Sequence, residues 1–244
     1  MRSMQLTVTL THKADFEAIL RNYAPSETSR SVLASIPLTI LLGVSGAGRN
    51  TIINHLVNSG NYHFIVSDTT RPPKLRDGHL EQDGVQYNFR SEEEILAGLK
   101  AGEYLEAELI HDQQVSGISI RELQKAAASN KVPINEVDVG GTKAIYLAKP
   151  DTVFFFIIPP TYNEWMYRLK GREVMSEGEL ENRLHTALNV LREGLANPNF
   201  HFVVNDSSNA SAHHIDQVVR HGHKDEQADS VARHTAHKIL QALE

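Results

Sequence analysis

Ile36-Pro37-Leu38-Thr39-Ile40-Leu41-Leu42-Gly43-Val44-Ser45-Gly46-Ala47-Gly48-Arg49-Asn50-Thr51 is the stretch that decides the fold. The apolar run Ile36 to Leu42 reads as a strand, and it stops at a glycine. From Ile52 to Val57 the apolar residues return at helical spacing. Strand, glycine loop, helix is the order that a phosphate-binding loop needs. Gly43, Gly46 and Gly48 follow the pattern G-x-x-x-x-G-K-[ST], with two changes at its end. Glycines let backbone N–H groups turn inward around phosphate oxygens, and the following helix adds its positive N-terminal end. Arg49 stands where lysine is usual and keeps the charge on a larger, planar fork. Asn50 offers a carbonyl oxygen in place of the hydroxyl that helps hold magnesium, and Thr51 supplies a hydroxyl one position late. An ordinary strand-to-helix turn can carry the same glycines. A dinucleotide-binding turn fits worse, because the spacing misses G-x-G-x-x-G.

Upstream, Met4, Leu6, Val8 and Leu10 alternate with polar residues, which predicts a strand. Lys13 to Tyr23 reads as a short helix with Phe16, Ile19 and Leu20 on one face, and Pro25 to Ser31 as a serine-rich connection. Downstream, Ser91 with Glu94, Thr161 with Glu164 and Ser176 with Glu179 are capping-box patterns that predict helix starts. The third opens a long helix with Leu180, Leu184, Leu188 and Leu191 at four-residue spacing. Val132 to Val139 and Val153 to Ile158 read as strands, the first weakened by Pro133 and Asn135. Strands alternating with helices predict an α/β fold with a mainly parallel sheet covered on both faces. Asp206 to Asp225 is polar and holds His213, His214, His221 and His223. It reads as a solvated loop or, more sharply, as a metal site, although no acidic partner stands at a known spacing. Val231, Ile239, Leu240 and Leu243 are expected to line one face of a closing helix.

The chain has 244 residues, 41% hydrophobic and 22% charged, with a formal net charge of -6. No global basic field draws it to nucleic acid or membranes, so an anionic ligand must be met by local positive charge. The absence of cysteine removes disulfides, thiolate metal sites and cysteine nucleophiles together. No apolar stretch is long enough to span a bilayer, and Met1 to Thr11 lacks a signal-peptide core. These features lead to the expectation of a soluble, cytoplasmic protein with no nucleic-acid or membrane partner.

A second block lies at Val66-Ser67-Asp68-Thr69-Thr70-Arg71-Pro72-Pro73-Lys74, followed by Asp83-Gly84-Val85-Gln86-Tyr87-Asn88-Phe89. It resembles the guanylate kinase family, whose stretch runs V-S-x-T-T-R-x-P-R and then G-x-x-Y-x-F. The resemblance continues through Gly102-Glu103-Tyr104-Leu105-Glu106, Glu136-Val137-Asp138-Val139 and Ile158-Pro159-Pro160 to Val204-Asn205-Asp206. Arg172 and Arg183 fall at the spacing of the two lid arginines. Coverage is about Pro37 to Asp206. The resemblance implies a P-loop kinase three-layer fold at 37–206, with an NMP-binding region about 67–131 and a lid about 168–186. Residues 1–36 are then an N-terminal extension, and 207–244 a histidine-rich loop with a C-terminal helix.

It also implies phosphoryl transfer from ATP to GMP with magnesium. Ser45, Gly46, Ala47, Gly48, Arg49, Asn50, Thr51 and Asn205 match the ATP side, with Asn50 toward the metal. Ser67, Arg71, Lys74, Tyr87, Glu106, Ser119 and Asp138 match the GMP side. Arg49, Arg71, Arg172 and Arg183 would be catalytic, stabilising charge on the phosphoryl group in flight. The base chemistry agrees: guanine offers N1–H and N2–H2 donors, which carboxylates such as Glu106 and Asp138 can accept, whereas adenine would leave them unsatisfied.

Several positions depart from the family pattern. Besides Arg49 and Asn50, Lys74 replaces an arginine, and a short insertion including Leu75 to Leu80 separates Lys74 from Tyr87. The family's Y-Y-G-[ST] has become Val115-Ser116-Gly117-Ile118, with Ser119 following as a partial substitute. Beside the enzyme reading stands a second, a catalytically impaired nucleotide- or protein-binding module on the same fold. A kinase for another monophosphate fits less well, because both guanine-reading acids are present.

Overall fold

The computed structural model describes residues 10–76, 78–171 and 176–244, the side chain of Arg76 excepted. The strand expected from Met4 lies outside these residues apart from Leu10, and so does Arg172.

Helices α1 (Lys13–Leu20) and α2 (Glu27–Leu33) precede β1 (Thr39–Gly43), α3 (Arg49–Asn58) and β2 (Tyr62–Phe64). Short strands follow: β3 (Asp68–Thr69), β4 (Leu75–Arg76), β5 (His79–Leu80) and β6 (Asn88–Phe89). Then come α4 (Glu92–Lys100), β7 (Tyr104–Ile110), β8 (Gln114–Ser119), α5 (Ile120–Ala128), β9 (Val132–Glu136) and α6 (Val139–Ala148). The chain continues through β10 (Val153–Ile158), α7 (Tyr162–Lys170), α8 (Glu177–Ala196), β11 (Phe200–Val204), α9 (Ser208–His221) and α10 (Glu226–Gln241). The described residues form two compact units. One holds the residues up to Pro37, Ile65–Asn130 and Lys143–Pro150; the other holds Leu38–Phe64, Lys131–Thr142 and Asp151–Glu244.

In the second unit the strands are ordered β11-β10-β1-β9-β2, and every pair is parallel. The glycine-loop strand β1 is central and buried at all five positions, as a strand covered on both faces must be. Strand β9 ends at Glu136, short of the expected Val139, because α6 begins there.

Two expectations for the tail are corrected. The polar, histidine-rich stretch is mostly helix, not loop: Ser207 caps α9, and Ala212, Ile215 and Val218 bury a narrow stripe that leaves His213, His214 and His221 on its remaining faces, with His223 beyond its end. In α10 the buried stripe is Ala232, Ala236 and Ile239, whereas Val231 is 56% exposed.

Helix α10 also closes the edge of the sheet. Asp229 Oδ1 accepts from Phe202 N–H at 2.6 Å, and Arg233 donates to the Phe200 carbonyl at 2.6 Å. Acid and guanidinium are paired with each other at 2.8 Å and stand where a further strand would bond. Asp229→Ala is expected to cost about 1–3 kcal/mol, since it strips a backbone N–H of its acceptor. A urea midpoint that falls with unchanged slope supports this, and an unchanged midpoint contradicts it.

The first unit is built on β6-β3-β8-β7, where β7 and β8 form an antiparallel pair. Phe16 of α1 is fully buried among Leu10, Ile95, Leu96, Leu99, Tyr104 and Val115. The connection expected at Pro25 to Ser31 is largely helix α2, started by the Ser26 side chain, which accepts from Ser29 N–H. Ser91 and Ser176 form complete capping boxes with Glu94 and Glu179. Thr161 caps α7 by accepting from Glu164 N–H, while the Glu164 carboxylate takes Arg168 at 2.8 Å.

Candidate functional site

The glycine loop opens α3 from a left-handed residue, Gly48, with φ 92°. A side chain there would also collide with the Asn205 amide, so glycine is required twice over. Two loop carbonyls are tied back into the protein. Trp165 Nε1 donates to Ser45 O at 2.7 Å, and Asn205 Nδ2 donates to Ala47 O at 2.7 Å. Asn205 is buried and also accepts from Ser211 Oγ, while its own carbonyl takes Arg168 at 2.8 Å. With these carbonyls pinned, the N–H groups of the first helical turn, which have no intrahelical acceptor, are the loop's offer to a ligand. Asn205 therefore reaches the loop as a holder of its backbone.

The two residues that break the loop pattern share one carboxylate. Arg49 Nε lies 3.3 Å from Glu136 Oε2, and its Nη1 is 3.5 Å from the Val137 carbonyl. The Asn50 amide, oriented to satisfy both groups, donates to the two Glu136 oxygens at 2.9 and 2.8 Å. Ser45, Asn50 and Thr51 are exposed, as is Asp138 in the segment that follows β9. Arg183 lies on α8 and is half-buried.

In the first unit, Arg71 is 5% exposed and meets Glu81 through both terminal nitrogens, at 2.5 and 3.0 Å. Its guanidinium lies 4.6 Å from the centre of the Tyr87 ring. Burial pulls against the Arg71 charge, but Glu81, with Tyr87 adding, holds the group above its ordinary pKa. The insertion after Lys74 loops out as the β4–β5 hairpin, with Leu75 opposite Leu80. Its base is closed by Glu81 N–H to Lys74 O at 2.9 Å and Lys74 N–H to Glu81 Oε2 at 2.9 Å. The extra residues therefore leave Arg71 and Tyr87 in contact.

Next to the half-buried Ser67, Asp68 is buried and accepts from Tyr104 Oη at 2.7 Å, Asn88 Nδ2 at 3.0 Å and Arg121 at 2.8 Å. This carboxylate ties β3 to β6, β7 and α5. Glu106 lies on β7, and desolvation, with the Glu108 charge adding, pushes its carboxyl up to about 7 despite a backbone hydrogen bond at Ile118. Ser119, at the end of β8, is 4% exposed, and its hydroxyl has no hydrogen-bond partner among the described residues. Ser116 takes no ligand-like position; its hydroxyl donates to Thr69 Oγ1 at 2.8 Å.

Trp165, Glu81 and Glu136 hold these groups, and motif reading passes over them as partners. The signals are thin: a lone tryptophan just after a helix cap, and acids inside motif runs with nothing to show what they face.

The family model described as guanylate kinase matches residues 36–222. Among similar proteins, the guanylate kinase of Corynebacterium diphtheriae is 34% identical over 185 residues, covering 75% of this chain and 93% of that one. That of Sulfurimonas denitrificans is 36% identical over 152 residues, 62% of this chain and 71% of the relative. Guanylate kinase 1 of Arabidopsis thaliana is 30% identical over 68% of this chain, which spans only 42% of that protein. A crystal structure of guanylate kinase from Anaplasma phagocytophilum shares the fold, with a TM-score of 0.56 and 22% identity over 79% of this chain and 89% of that one.

Proposed function

Since the chain belongs to the guanylate kinase family, we propose that it transfers the terminal phosphoryl group of ATP to GMP, giving ADP and GDP. A phosphate oxygen of GMP attacks the γ-phosphorus in line as the bond to ADP breaks, so no protein nucleophile is needed. Glu106 carries the reading. A carboxylate that burial holds near neutrality has most to gain from the paired N–H donors of guanine. Asp138, Ser67 and Ser119 would complete base selection. Lys74, Tyr87 and Arg71 would hold the GMP phosphate, with Arg71 braced by Glu81. Gly46, Ala47, Gly48 and Thr51 would cradle the ATP phosphates, with Arg49 supplying charge and Asn205 bracing the loop. Arg183 and Arg172 would come from a lid at about 168–186 that excludes water, and the GMP-holding residues Ser67 to Ser119 from an NMP-binding region at about 67–131.

Magnesium would come with ATP, and the side-chain oxygen of the exposed Asn50, in the first turn of α3, is a hard donor of the kind it accepts. Bound there with ATP, the ion would neutralise phosphate charge, and Asn50 would hold it.

Glu106 also sets a pH dependence. Its carboxyl is raised to about 7 from an ordinary 4.5, so in the free protein it is mostly protonated below 7 and can no longer accept from both guanine donors at once. GMP affinity is expected to be highest above pH 7 and to fall about tenfold per unit below it. Calorimetric titration between pH 5.5 and 8.5 checks this, and a flat profile contradicts it. At pH 8 the same titration should show AMP binding at least about a hundredfold more weakly than GMP. Equal affinity would overturn the assignment.

The pairing of Arg49 with Glu136 and of Arg71 with Glu81 favours the second reading, an impaired binding module, because two phosphate-facing cations are already matched. Under that reading GMP binds without ATP turnover.

A further inference from the structure

Strand β7 starts irregularly. Tyr104 lies opposite Ser119 and Glu106 opposite Ile118, with the register shifting between them. An irregularity of this kind re-aims the side chains that follow it. The carboxylate of Glu106 is therefore only as well placed as the backbone at Tyr104.

That backbone is held by residues ahead of the family match, which begins at Ile36. Tyr23 Oη accepts from Tyr104 N–H at 2.9 Å and donates to Tyr104 O at 2.8 Å, so one phenol satisfies both backbone groups. Just upstream, Ser26 N–H donates to Gly102 O at 3.0 Å. Gly102 has φ 68°, and a side chain there would collide with the Ser26 backbone. Phe16, Ile19 and Leu20 of α1 and Tyr23 itself pack in the cluster that contains Tyr104. Burial, with the Glu103 and Glu106 charges adding, raises the Tyr23 phenol to about 12. The hydroxyl thus stays neutral and able to donate and accept together, and Glu106 is within its electrostatic reach.

We propose that the segment 10–35 is a positioning element for base recognition, in which Tyr23 fixes the Tyr104 irregularity and through it the carboxylate of Glu106. Tyr23 is a positioning residue; it acts through β7. The inference rests on Glu106 reading the base of GMP.

The test uses the full chain and four proteins: wild type, Tyr23→Phe, Glu106→Gln and the double variant. Phenylalanine keeps the buried ring and removes only the hydroxyl. Tyr23→Phe is expected to lower kcat/KM for GMP about tenfold, a fair effect for two lost backbone hydrogen bonds, while kcat/KM for ATP at saturating GMP stays within about twofold. In the Glu106→Gln background the same change should alter kcat/KM for GMP by less than about twofold, because its target is gone. Hydrogen exchange at the Tyr104 amide reads the contact without activity, and protection should fall in Tyr23→Phe. Equal losses for GMP and ATP, a full effect in the Glu106→Gln background, or unchanged exchange would each overturn the proposal. Glu106→Gln with a wild-type kcat/KM for GMP would instead remove the reading beneath it, and the proposal with it.

Discussion

Replacing Glu106 by glutamine is expected to lower kcat/KM for GMP by about 100- to 1000-fold. An ionised acceptor facing two guanine donors gives way to an amide with one carbonyl and a mismatched NH2, and hydrogen bonds to charged groups count for about 1.5–3 kcal/mol each. The substitution is nearly isosteric and removes a desolvated charge. By linkage, a carboxyl raised to about 7 weakens the fold as pH rises from 4.5 through 7, so the variant should be at least as stable as wild type above that range. A large loss toward GMP in a protein that melts no earlier separates recognition from folding. A loss below about threefold would remove Glu106 from the site.

Arg49→Ala is expected to lower kcat/KM for ATP by about 100- to 1000-fold, with GMP affinity by calorimetry within about twofold. The effect has two parts. The loop loses its cation, and the Glu136 carboxylate, which Arg49 now faces at 3.3 Å, is left beside the incoming polyphosphate with only Asn50 for company. Adding Glu136→Gln to Arg49→Ala should therefore recover about tenfold, since a like charge opposing the phosphates is gone. No recovery would mean that Arg49 and Glu136 act independently, despite their pairing.

The parts that were legible are those written in local chemistry. The glycine loop between an apolar run and a helical period placed β1 and α3, and the Ser91 and Ser176 capping boxes placed α4 and α8. Reading failed where the buried residues are small or sparse. The stripe of α10 is carried by Ala232 and Ala236, which weigh little beside the exposed Val231. Helix α9 buries Ala212, Ile215 and Val218 in a polar context and so reads as a loop. Helix α2 is announced only by Ser26, whose capping partner is another serine rather than an acid.

At the site, motif positions were legible and their partners were not. Glu136 meeting both Arg49 and Asn50, Glu81 meeting Arg71 across a hairpin, and Tyr23 meeting Tyr104 are pairings made by the tertiary fold, and no local spacing encodes them. The loop residues that look like defects against a pattern are thus built into one hydrogen-bonded set with a strand-end acid.

The most direct measurement is a coupled assay of ADP release from magnesium-ATP with GMP, dGMP, AMP and UMP as acceptors at high enzyme concentration. Turnover is expected to depend on GMP and to be at least about a hundredfold lower with AMP or UMP. ADP release that does not rise with GMP, in a protein that still binds GMP by calorimetry, would contradict it and leave a binding module on this fold.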